Sequence, residues 1–131
     1  MQNQPLRHLF LLLALAWAGV IYYFSSQPGT DTPLLFPFQD KLYHAVEFAI
    51  LGFLGMGTMK ADTHGYQAWQ VRMIIALVIL YAILDEFHQR FVPGRTADVF
   101  DVMADVTGGL LGIWLMYTLV KIINRRSQTA L

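Results

Sequence analysis

The chain has 131 residues, one domain's length, with 56% hydrophobic and only 14% charged positions. A soluble domain is nearer a quarter charged, so this balance and a mean hydropathy of +0.46 point to a membrane protein. Nine basic and nine acidic residues cancel, no basic stripe suggests a nucleic-acid partner, and the lack of cysteine excludes disulfides, iron–sulfur ligation and thiolate catalysis.

The first apolar run, Leu6 to Phe24, carries only Arg7 and His8 near its start. At about 1.5 Å per residue it just spans a hydrocarbon core of roughly 30 Å. A cleaved signal peptide is the competing reading, but the run is longer than a usual apolar core and no small-x-small pattern follows it. It reads as a retained helix, with Tyr22 and Tyr23 at an interface. Ser25 to Gln39 is a loop rich in turn residues, whose Leu34-Leu35-Phe36 cluster suits the membrane surface.

The second run, about 41–59, begins with Asp40, Lys41, His44 and Glu47 and continues apolar. Asp40 stands where an N-cap is expected. A polar connection from Lys60 to Gln70 leads to the third run, about 71–91, which turns polar only in its last turns. Pro93-Gly94 makes a turn, Thr96 is placed to cap the fourth helix, and Asp98 falls in that helix's first turn. The fourth helix covers about 97–123 and ends in Lys121, Arg125 and Arg126. The predicted fold is all-α, a polytopic antiparallel bundle of four transmembrane helices with both termini on one side. Six lysines and arginines on that side against three on the other put the termini in the cytoplasm.

The polar residues are periodic. Asp40, His44 and Glu47 share one face of the second helix, Asp85, His88 and Gln89 one face of the third, and Asp98, Asp101 and Asp105 one face of the fourth. A lipid-facing charge costs roughly 2.5–3.5 kcal/mol at the centre of a span, so the three faces are expected to point inward at one level. They would form a polar pocket open to the outside. Gly108 and Gly112 continue the acidic stripe and offer a close-packing surface.

The combination Asp40-Lys41-x-x-His44, Glu86-x-x-Gln89-x-x-x-Pro93-Gly94-Arg95 and Asp98-x-x-Asp101 before a glycine-rich helix resembles the VanZ-like integral membrane family. Ser25 and Gln27 resemble its Ser-x-Gln element, and the likeness runs from about Leu6 to Leu119. It implies a small multi-pass protein of the bacterial cytoplasmic membrane, with the family's namesake linked to reduced teicoplanin susceptibility. Asp105 stands where the family usually has asparagine, which leaves open a neutral amide role or an additional charge.

Three uses of the pocket follow from the residues. In the first, Lys41, Arg90 and Arg95 pair with Asp40, Glu86 and Asp98, and the network of a non-catalytic structural or accessory protein fixes helix register or binds a partner. An excess of acids, eight against three bases on that side, argues for more than a balanced network. In the second, Asp40, His44, Glu47, Asp85, Glu86, His88, Gln89, Asp101 and Asp105 line a catalytic or binding pocket, and Lys41, Arg95 and Asp98 hold a ligand. Its position suits a lipid head group or lipid-linked envelope precursor, with the forked arginine donors taking phosphate or carboxylate. Carboxylates and imidazoles also suit a divalent cation, although no His-Glu-x-x-His or comparable ligand motif is present. The third use is proton-coupled transport, against which stand apolar inner helix halves and no inverted repeat.

Overall fold

The computed structural model describes residues 4–29, 35–62 and 64–129. Among them are four helices, α1 (Gln4–Ser25), α2 (Gln39–Gly57), α3 (Ala68–Gln89) and α4 (Val99–Thr129), and no strand beyond an isolated bridge between Asp62 and Gly65. The order matches the sequence reading, while several ends move. Ala68 to Gln70 belong to α3, where the Gln70 side chain accepts from the Gln67 N–H at 2.8 Å and so starts the helix earlier. Arg90 and Phe91 fall past its end, and α4 continues helical through its basic tail.

Two expected caps are corrected. Asp40 lies inside the first turn of α2; the residue before the helix is Phe38, held at φ 63°, and its carbonyl accepts from Leu42 N–H. Thr96 does not cap α4. Asp98 does, its carboxylate accepting from the Phe100 N–H at 2.9 Å, two residues later than propensity suggests, where Glu86 accepts from the Asp98 N–H. Of the loop cluster, Leu35 and Phe36 are exposed, and Leu34 lies outside the described residues.

α1, α3 and α4 are each long and apolar enough to cross a membrane. α2 has 19 residues, about 28 Å of helix, and its first half carries the polar stripe. Cross-links show how the helices run. Arg7 at the start of α1 donates to the Thr58 carbonyl just past the end of α2, so these two are antiparallel. Tyr81 hydroxyl bonds the Ala18 carbonyl at 2.7 Å, and Ser26 meets His88, so α1 and α3 run the same way.

α2 and α4 also run in parallel and make the tightest seam. A Cβ added to Gly108 would lie 1.9 Å from the Ala45 carbonyl oxygen, and one added to Gly112 the same distance from that of Ala49. Gly52 faces Gly109 across the same seam, where a Cβ would come within 2.2 Å of the Gly109 oxygen. Glycine is needed here because main chain packs on main chain. Below this contact Phe48, Met56, Ile74, Ala82, Ile113 and Met116 fill an apolar core. Outside, Leu12, Leu15, Leu80, Leu84 and Trp114 are all more than half exposed. The bundle is thus apolar around its perimeter and polar inside at one end, as expected for a lipid-facing surface.

Candidate functional site

The end of the bundle that holds the start of α2, the end of α3 and the start of α4 gathers most of the polar side chains. Spacing of three to four residues keeps each set on one helical face, and the glycine seam draws α2 against α4 so that two of the sets meet. His44 Nδ1 and Asp105 Oδ1 lie 2.9 Å apart, both side chains buried. From α3, Asp85 completes a group in which one donor atom from each of the three residues lies within 4.8 Å of the others. The Gln89 amide donates to Asp85 Oδ2 at 3.1 Å. Glu47 is half-buried and within electrostatic range of His44, Asp85 and Asp105.

A second cluster forms the rim. Lys41 Nζ donates to Asp101 at 2.6 Å, to Asp98 at 2.7 Å and to Asp40 at 3.1 Å. The Lys41 ammonium beside Asp98, aided by the Phe100 N–H, holds that carboxyl below its usual range. Glu86 is buried and accepts a hydrogen bond from the Asp98 N–H, so α3 is tied to the start of α4.

Two candidate residues point elsewhere. His88 Nε2 meets the Ser26 hydroxyl at 3.0 Å, and its ring packs on Tyr22 with centroids 4.8 Å apart. Arg95 donates to the carbonyls of Phe24 and Gln27 instead of pairing with Asp98. Arg90 forms no ion pair with Glu86 among the described residues, so the expected arginine pairs are replaced by the lysine hub. Arg95 and the Gly29 N–H, which bonds the Pro93 carbonyl at 3.0 Å, clamp the loop after α1 onto the turn before α4. Gly94 sits at φ +74° in that turn, a conformation glycine adopts freely.

The sequence reading placed Ser25 only in a motif. It is a wall of the site, buried at 4% exposure, its hydroxyl turned toward Asp85 without completing a hydrogen bond. Ile21 and Ser25, four apart on one face, are the two buried residues of α1, a distinction that its nearly uniform apolar sequence does not make.

The arrangement is strongly unbalanced. Asp105 is 0% exposed and Glu86 6%, and each has one buried oxygen with no hydrogen-bond partner among the described residues. Leaving buried acceptors in this state costs on the order of 1–3 kcal/mol each, more for charged groups. A fully satisfied structural network would not leave them. An aspartate-oriented imidazole is also an arrangement that presents its second nitrogen to a proton or a metal.

The VanZ/LLP1 family model matches residues 10–121, from the first third of α1 to the last third of α4, and so covers the entire site. No curated protein matches the chain, and no solved structure does.

Proposed function

The chain belongs to the VanZ/LLP1 family, and we propose that it is a four-span protein of the bacterial inner membrane whose polar end binds a phosphate-bearing head group of an envelope lipid or lipid-linked precursor. In this reading both termini are cytoplasmic and the polar end opens outward, in keeping with the lysine and arginine asymmetry.

One observation carries the reading. A cleft of about 540 Å³ lies between the end of α3 and the start of α4, with Glu86, Arg90 and Asp98 lining it beside Ile83, Phe87, Val99 and Val102. Charged groups over apolar walls match a molecule with a polar head and a hydrocarbon tail. Arg90 is exposed and unpaired with any carboxylate among the described residues, which leaves its fork of donors for phosphate. A separate apolar groove of about 420 Å³ lies between α1, α2 and α3, with Tyr81 and Leu84 in its lining. An effect on teicoplanin susceptibility would follow where the lipid carries a cell-wall precursor.

The Lys41 hub favours a second, structural role for the rim alone, since one ammonium holds carboxylates from α2 and α4 in register. The two uses separate in a titration of purified protein in detergent with phosphatidylethanolamine, a polyprenyl diphosphate and diacylglycerol. Thermal stabilisation by a phosphate-bearing lipid, lost in Arg90→Gln and absent with diacylglycerol, supports the head-group reading. The two phosphate arms identify the source. Equal response to all three lipids would leave only the structural role.

A further inference from the structure

We propose that His44, Asp85 and Asp105 form a binding site for one divalent transition-metal ion of the zinc or manganese kind. The inference goes beyond the head-group reading and does not depend on it. Three helices each contribute one donor: an imidazole nitrogen from α2 and carboxylate oxygens from α3 and α4, all within 4.8 Å of one another. Around an ion with bonds of about 2.0–2.2 Å, neighbouring ligand atoms sit roughly 3–4 Å apart, so only a small contraction separates this geometry from coordination.

An independent observation calls for a cation. Asp105 is completely buried, and its Oδ2 has no partner among the described residues. Asp85 is 5% exposed, and its hydrogen bond from Gln89 is neutral. No lysine or arginine among the described residues bonds to either aspartate: Lys41 is committed to Asp40, Asp98 and Asp101, and Arg95 to main-chain carbonyls. Two buried carboxylates beside one imidazole carry more negative charge than the surroundings neutralise. A bound divalent ion removes that imbalance and gives the stranded oxygen a partner.

The donor chemistry selects the ion. Magnesium and calcium prefer six or more oxygen ligands, whereas a mixed nitrogen and carboxylate set suits zinc or manganese. Gln89, which holds Asp85, is the supporting contact that such sites use to orient a ligand.

The test uses full-length protein in lipid-free detergent, stripped with chelator and titrated with Zn²⁺, Mn²⁺ and Mg²⁺. One Zn²⁺ or Mn²⁺ per chain is expected, with weaker Mg²⁺ binding and at least tenfold loss of affinity in His44→Gln and in Asp105→Asn. No binding by wild type, or unchanged affinity in folded variants, overturns the site. Should both variants fail to fold, X-ray absorption on zinc-loaded wild type decides the matter. A shell with a single imidazole and oxygen ligands supports the assignment, and a shell with several imidazoles overturns it. Because no lipid is present, failure here leaves the head-group titration unaffected.

Discussion

His44 and Asp105 are 61 positions apart, yet their side chains meet at 2.9 Å where α2 and α4 come closest. The next residue, Ala45, presents its carbonyl to Gly108, one turn beyond Asp105, at a distance that no Cβ could occupy. The glycine seam and the buried polar pair are one construction. Helix approach sets the contact, and the contact places a polar pair inside the bundle.

Gly108→Ala is therefore expected to destabilise the protein by about 1–3 kcal/mol, the usual range for an overpacked site, as read by thermal unfolding in detergent. Gly19 is the control: nothing lies within 4 Å of its added Cβ, so Gly19→Ala should be neutral or mildly stabilising. Equal stability of the Gly108→Ala and wild-type proteins would show that the two helices are not seated on each other.

The His44–Asp105 pair should behave as a unit. His44→Ala leaves Asp105 buried with neither oxygen bonded, and breaking a buried pair in this way costs about 3–5 kcal/mol. The double variant His44→Ala/Asp105→Ala should lose clearly less than the sum of the single losses, measured as a double-mutant cycle. Additive losses would mean that the two residues act separately.

Periodicity in the sequence was enough to put Asp105, His44 and Asp85 on inward faces, and apolar runs were enough to find the four helices. What it could not give was partner choice. Arg95 stands three residues before Asp98, so pairing looked natural, but the clamp on Phe24 and Gln27 depends on where the α1 loop lands. Lys41 reaches Asp98 and Asp101 because α2 and α4 run in parallel at close range, a tertiary fact invisible in local spacing. The cap of α4 shifted from Thr96 to Asp98 for the same reason, through the remote Glu86.

The rim should respond to acid. Asp98 has its carboxyl held below the usual value of 3.8 by Lys41, so it binds a proton less readily folded than unfolded. Its contribution is complete above that ordinary value and disappears as pH falls through the depressed folded one. The stability gap between wild type and Asp98→Asn should stay constant from about pH 7 to about pH 5 and narrow below about pH 4. A gap that widens on acidification would contradict the ion pair.

Sidedness is open to direct labelling in intact cells. Pro28→Cys, in the exposed loop after α1, is expected to react with an impermeant maleimide from outside, and His64→Cys between α2 and α3 only after permeabilisation. The opposite pattern would invert the topology and place the polar end in the cytoplasm.

The most direct test of the head-group reading is quantitative mass spectrometry of lipids that remain on the purified protein, comparing wild type with Glu86→Gln/Arg90→Gln. One phosphate-bearing lipid species enriched near one per wild-type chain and depleted in the folded variant is the expected result. Identical lipid complements on the two proteins would contradict a head-group site between α3 and α4.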